Sequence, residues 1–192
     1  MLRSRSALMR AAVALVGERG TTAVPIPDIA EAADVSRQLV YLQFGNREAL
    51  LLDAALDLAR RELLPHLQDA SDELTGRDRA LATARHFGDH RSFYRAMLTG
   101  SCAFALNEAL NGLFNPVNRQ FARRLLGEGH ELKAVDDLAT FLTGGGAAMF
   151  NSWLIEGDDR LDPEQFADRL MRTLSVLSGA AREQTTTEGG PR

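Results

Sequence analysis

Apolar residues recur along this chain at three- and four-residue intervals, the spacing of one face of an α-helix. No stretch alternates as a half-buried strand would. From Ser6 onward, Leu8, Ala12, Leu15 and Val16 mark a first helix. Gly20 supplies its stop, because glycine tolerates the left-handed conformation after a helix end. Pro25 and Pro27 bracket the start of a short second helix over 28–33. Asp34-Val35-Ser36 reads as a turn ending in an N-cap, and a third short helix covers 37–43. Gly45-Asn46 interrupts it, and a long fourth helix follows over about 46–64, ended or kinked by Pro65. Five more helices are expected near 77–89, 91–109, 116–126, 133–155 and 163–180. The pattern predicts an all-α chain of about nine helices. A three-helix head (1–48) precedes a helical body (49–182), and a tail (183–192) without apolar residues is expected to be disordered.

Composition narrows the classes. The 192 residues are 45% hydrophobic and 25% charged, ordinary for a globular chain. A single cysteine, Cys102, excludes an intrachain disulfide and a multi-cysteine zinc site. No apolar run is long enough for a transmembrane helix, so no membrane role is expected. The basic start MLRSRSALMR is followed by AAVALVGERG, too short and too soon polar for a signal peptide, so a cytoplasmic location is expected. The net charge of -4 argues against indiscriminate nucleic-acid coating. The charge is uneven, however. Residues 1–50 hold six arginines against five acids, which leaves the acidity to the body.

Three short helices with a tight turn between the second and third describe a helix-turn-helix, whose third helix fits the major groove of DNA. Ile29, Ala30, Ala33, Val35 and Val40 are the small apolar residues its core needs. The segment IAEAADVSRQLVYLQFGNREALL carries Ile29-Ala30, Val35-Ser36, Val40-Tyr41, Gln43-Phe44 and Arg47-Glu48-Ala49-Leu50. In these pairs and their spacing it resembles the tetracycline-repressor (TetR) family of bacterial regulators, over about a quarter of the chain. The resemblance implies DNA contacts from Ser36, Arg37, Gln38, Leu39, Tyr41, Leu42, Gln43 and Arg47. Arg37 and Gln38 would read base edges, and Leu39 and Leu42 would pack on thymine methyls. Tyr41, Gln43 and Arg47 would grip phosphates, Arg47 at a helix start where free N–H groups favour an anion. Arg3 and Arg5 are candidates for a minor-groove arm. Departures from the family pattern are Gln43 for histidine, Arg47 for lysine, Gln38 for glycine, and Pro25-Ile26-Pro27 for hydroxyl residues.

The resemblance further implies a body that binds a small effector and forms a homodimer. The helix over 133–155 is too apolar for a single solvated face, and Gly144-Gly145-Gly146 within it calls for close packing or a kink. Candidate interface residues are Leu142, Gly146, Met149, Phe150 and Trp153 here, with Phe166, Leu170 and Leu174 on the last helix. Candidate effector contacts are His86, Phe87, His90, Phe93, Tyr94 and Met97, joined by Asn107, Phe114 and Trp153. Such a lining suits an apolar or aromatic molecule. His86 and His90 have the i, i+4 spacing of metal-binding pairs, but no third ligand accompanies them in sequence, so no metal or other cofactor is expected. No nucleophile elbow, metalloprotease motif or dinucleotide fingerprint is present, and Cys102 sits in an apolar stretch, so catalysis is not expected. The leading expectation is a ligand-responsive regulator, a repressor, that binds a palindromic double-stranded DNA operator as a homodimer. The alternative is a helical small-molecule-binding protein without specific DNA binding.

Overall fold

A computed structural model describes residues 2–68, 76–127, 131–157 and 160–187, which form ten helices and no strand. The head comprises α1 (Leu2–Arg19), α2 (Ile26–Ala32) and α3 (Arg37–Phe44). The helix α4 (Arg47–Glu62) leads into the body, followed by α5 (Leu64–Gln68), α6 (Gly76–Asp89) and α7 (Arg91–Thr99). The body is completed by α8 (Ala103–Leu126), α9 (Leu132–Glu156) and α10 (Pro163–Thr187). No helix among the described residues is long and apolar enough to cross a membrane.

Local chemistry sets the head. Pro25 stands before α2, and its carbonyl accepts from the Asp28 and Ile29 amides. The turn after α2 passes through Asp34 at φ 53°, a left-handed conformation that a short polar side chain tolerates. Ser36 then caps α3, its Oγ accepting from the Leu39 amide at 3.3 Å. Gly45 ends α3 at φ 77°, and Asn46 caps α4 by accepting from the Ala49 amide at 2.8 Å. Buried Ile29, Ala30, Val40 and Phe44 hold the three helices together, with Leu8, Ala12 and Val16 from α1.

The body departs from the sequence expectation in four places, the first being the short α5, which contains the Pro65 expected to end or kink the fourth helix. One helix, α8, spans what the pattern divided at 110–115. Gly112 and Pro116 lie inside it, and Pro116 removes one backbone donor without ending the helix, because neighbouring helices hold both sides. The break falls earlier, at Gly100-Ser101-Cys102, between α7 and α8. Finally, α10 runs to Thr187, past the point where loss of structure was expected. No glycine or proline interrupts residues 180–187, which permits this. The rest of the expected tail, 188–192, lies outside the described residues.

The helices α8 and α9 pair along their length, and α10 lies on α6 around Ala80, Leu81 and Ala167. Arg77 spans Glu164 and Asp168 across that seam, and Arg91 donates to the Leu154 and Gly157 carbonyls at the end of α9. Trp153 stacks on Phe166 at 4.5 Å between ring centroids, which joins α9 to α10.

Head and body share a core. One cluster of buried side chains runs from Leu8, Val16 and Ile29 through Leu50, Leu51 and Ala55 to Phe93, Tyr94, Met97 and Leu106. The helix α1 is the bridge, since it packs on α2, α4 and α7. Gly17 faces Phe93, and Gly100 faces Thr22 of the α1–α2 loop. A Cβ on Gly100 would lie 2.5 Å from Thr22 Oγ1 and 2.8 Å from the Ala96 carbonyl oxygen. Gly100→Ala is therefore expected to cost about 1–3 kcal/mol of stability through overpacking. The denaturant midpoint of the purified variant measures this, and an unchanged midpoint would show that the head–body contact is loose.

Candidate nucleic-acid interface and interior cavity

Two faces of α3 have opposite fates. Val40 and Phe44 point into the core, while Arg37, Gln38, Tyr41 and Leu42 share an outward face. Leu42 is 76% exposed and Tyr41 54%, unusual for residues of that size next to a well-packed core. Ser36 is exposed but occupied as the N-cap, and Leu39 and Gln43 are half-buried. Tyr41 is thus no core aromatic, whereas Phe44 is one. The outward face offers a guanidinium, an amide, a phenol and an apolar tip along two turns, a set able to meet both base edges and phosphates.

Arginines near this face divide into free and committed groups. Arg3 is exposed, and Arg5 is not available as a flexible arm. Arg5 belongs to α1, lies 4.3 Å above the Phe44 ring, donates to the Gln43 carbonyl at 3.1 Å and pairs with Asp53. It braces α1 against α3 and α4. The sequence offers no warning of this, since its partners lie 38 to 48 residues away. Arg47 lies at the start of α4 and pairs with Glu48 at 2.9 Å. A backbone hydrogen bond, then the Arg47 guanidinium, holds the Glu48 carboxyl below its usual value. Gln43 Oε1 and Arg47 Nε are buried without hydrogen-bond partners. A phosphate at this helix start would share the Arg47 guanidinium with Glu48.

The body holds a partly open cavity of about 460 Å³ between α6, α7, α8, α9 and α10. Of the candidate effector contacts, Phe87, Tyr94, Asn107 and Phe114 line it. Leu106, Leu110, Phe150 and Leu154 complete much of the apolar wall. The other candidates lie elsewhere. Phe93 and Met97 are buried in the core shared with α1, and Trp153 is stacked on Phe166. Several polar groups on the wall pair with one another, while Arg79, Asn111 and Gln120 also line it. Asn151 donates to Asn107 at 2.8 Å, Asn118 donates to Thr143 at 2.9 Å, and Thr143 donates to the Ala139 carbonyl. Asn118, Thr143 and Asn151 were not among the sequence candidates. Only the alignment of α8 with α9 brings them together, although their i, i+4 and i, i+3 relations to apolar wall residues hint at it.

His86 and His90 stand behind this wall with a partner from a distant helix. Glu62, the last residue of α4, lies 2.7 Å from His90 Nε2 and 3.6 Å from His86 Nδ1. His86 Nε2 is 2.9 Å from the Tyr94 hydroxyl. Burial, reinforced by the charge of His90 and opposed by Glu62, pushes the His86 pKa down to about 4. Burial likewise pushes the Tyr94 phenol up. At neutral pH His86 is a neutral imidazole with one nitrogen facing Glu62. The helix α6 runs through Gly88 to Asp89, and His90 follows it with its amide donating to the His86 carbonyl at 3.2 Å.

The outer face of α9 is open. Among the described residues, no atom lies within 4 Å of a Cβ placed on Gly144, Gly145 or Gly146. Phe141 beside them is 60% exposed, Val176 on α10 is 71% exposed and Phe104 on α8 is 80% exposed. Of the candidate interface residues, Leu142, Gly146, Met149, Leu170 and Leu174 are half-buried and line the cavity, whose lining also includes Phe141 and Gly145. Phe150, Trp153 and Phe166 instead form an aromatic stack inside the chain. Cys102 is buried, which raises its thiol pKa and suits an inert side chain.

Comparison with known proteins places this geometry. Residues 8–60 match the model for bacterial regulatory proteins of the tetR family. A stretch of 65 residues is 40% identical to the HTH-type transcriptional regulator BetI of Rhizobium meliloti (strain 1021). That stretch covers 34% of this chain but only 30% of that regulator. The whole fold is similar to the TetR family repressor AlkX of Dietzia sp. strain DQ12-45-1b, with TM-score 0.60 and 22% identity over 91% of this chain and 97% of that one. It is also similar to NalD of Pseudomonas aeruginosa, with TM-score 0.58 and 20% identity over 92% and 97% of the two chains.

The bracing role of Arg5 has a measurable consequence. Arg5→Ala is expected to lower stability by about 1 kcal/mol through loss of its ring and carboxylate contacts. Arg3→Ala should stay within about 0.5 kcal/mol of the parent. Equal unfolding midpoints for the two variants would remove Arg5 as a brace.

Proposed function

We propose that this chain is a member of the tetR family of bacterial regulatory proteins, whose model its residues 8–60 match, and that it acts as a ligand-responsive repressor that binds a palindromic DNA operator as a homodimer. The observation that carries the reading is the outward face of α3. Arg37, Gln38, Tyr41 and Leu42 are exposed together on a helix whose other face is locked by Val40 and Phe44. Exposing an apolar side chain such as Leu42 forgoes burial, and a thymine methyl would supply it on binding. In this reading Arg37 and Gln38 contact base edges, while Tyr41, Gln43 and Arg47 contact phosphates. Leu39, half-buried, supports the helix more than it touches DNA.

The homodimer rests on the open face of α9 and α10. Glycines at 144–146 would let a second helix approach closely, and Phe141 and Val176 would be covered by the partner copy. A two-fold pair would set its recognition helices about 34–36 Å apart, one turn of DNA. The effector is an apolar or aromatic molecule in the 460 Å³ cavity. The repressor sense draws support from AlkX and NalD, both named as repressors. AlkX, implicated in biodegradation of n-alkanes, also sits well with an apolar effector. The ligand would favour a body conformation in which the two α3 helices no longer fit their half-sites, which shifts a population between two states.

Selection of fragments from a random DNA pool at low salt tests the reading, with enrichment of a palindrome as the expected result. A pool with no enriched sequence would favour the ligand-binding protein without operator specificity. On the selected site, Arg47→Ala should weaken binding to all sequences and lower the salt slope by about one. Gln38→Ala should relax preference at a single base pair, at a cost of about 1–3 kcal/mol in discrimination. Phe141→Glu should convert the dimer to monomer in sedimentation velocity, and a dimer that persists would move the interface away from α9.

A further inference from the structure

We infer that Glu62, His86 and His90 form a binding site for a divalent transition-metal ion of the zinc class. The three residues come from the end of α4, the last turn of α6 and the residue joining α6 to α7. One ligand atom from each lies within 4.8 Å of the other two. Glu62 is 2.7 Å from His90 Nε2 and 3.6 Å from His86 Nδ1. Ligand atoms around a tetrahedral ion with bonds of about 2.0–2.2 Å lie roughly 3.3 Å apart. Seating an ion therefore needs Glu62 to move away from His90 by less than the length of a bond.

The donor chemistry selects the ion. Two imidazoles and one carboxylate suit Zn²⁺, Co²⁺ or Ni²⁺, whereas Mg²⁺ and Ca²⁺ take oxygen ligands almost throughout. His86 is oriented for the task. Its Nε2 is engaged by the buried Tyr94 hydroxyl, so Nδ1 is the nitrogen that faces Glu62 and His90. A fixed partner on the far nitrogen is the usual way a protein aims a ligating histidine. His86 is buried, while His90 is half-buried and Glu62 exposed, which gives the ion a route from solvent and leaves room for water as a fourth ligand. The bound ion would tie α4, which begins at the head, to α6 and α7, which wall the cavity. This inference does not rest on DNA binding, and its test involves none.

The test uses the full-length protein without a polyhistidine tag, stripped with chelator and titrated with Zn²⁺ against a chromophoric competitor. One ion per chain is expected, and Co²⁺ should give visible ligand-field absorption of a low-symmetry site. Zn²⁺ should also raise the thermal midpoint, because it binds only the folded chain. His90→Ala and Glu62→Gln should each weaken Zn²⁺ at least about tenfold and abolish the thermal shift, while substitution of the exposed His66, His66→Asn, should change neither. His86 is packed in the interior, so the partly exposed His90 and Glu62 carry the test even where a His86 variant fails to fold. Absence of Zn²⁺ binding by the parent protein, or undiminished binding by His90→Ala, would overturn the inference.

Discussion

The whole molecule depends on α1 being buried on two sides at once. Its inner face supplies Leu8, Ala12 and Val16 to the head, while Gly17 and the following loop meet Phe93 and Gly100 of the body. The same helix is fastened to α3 and α4 by Arg5. A head attached only by a linker could turn freely, and nothing that happened in the body would reach it. Here the buried cluster is continuous, and close-packed interiors transmit displacement because they have few voids to absorb it. Tyr94 and Leu106 belong to that cluster and also line the cavity. A change of shape at the cavity wall therefore acts on side chains that touch α1 or α4 directly, with no separate relay required.

Continuity also changes how the charge of the chain is read. A net charge of -4 speaks against DNA only if charge is spread evenly. Within the head, Arg5 is neutralised by Asp53, Arg19 by Asp28 and Arg47 is shared with Glu48. The cationic side chains left facing outward are few, Arg37 foremost on α3. Association driven by phosphate attraction alone would be weak, so in the proposed reading affinity would come from groove contacts made by a correctly placed α3, doubled by a second copy. Placement of α3 is what the bracing contacts supply.

The head was legible in sequence because its signals are local. Pro25, Ser36, Gly45 and Asn46 each act on backbone within four residues, and all four mark helix ends in the structure. The body was less legible because its signals depend on partners far along the chain. Pro116 reads as a helix start but lies inside α8, where flanking helices outweigh its lost hydrogen bond. His86 and His90 lacked a third neighbour in sequence, and Glu62 reaches them only because α4 ends beside α6. The glycines at 144–146 predicted a close approach or a kink, yet the described residues leave open space beside them. Among the candidate effector contacts, composition identified a cluster of aromatic residues but could not sort wall from core. Phe87 and Phe114 face the cavity while Phe93 faces α1.

The pairing of polar groups on the cavity wall constrains what can enter. Asn107 with Asn151, and Asn118 with Thr143, satisfy one another across α8 and α9. A polar ligand placed against these amides would have to break their bonds and replace each one, since a buried donor left unpaired costs about 1–3 kcal/mol. An apolar ligand leaves them intact and gains from the surface of Phe87, Leu106, Leu110, Phe114 and Phe150. The same amides lie across the seam where α8 and α9 meet, so a ligand with one hydrogen-bonding group could exchange a partner there and shift one helix against the other. The wall thus admits bulk by its apolar surface and could respond to shape through a small number of amides.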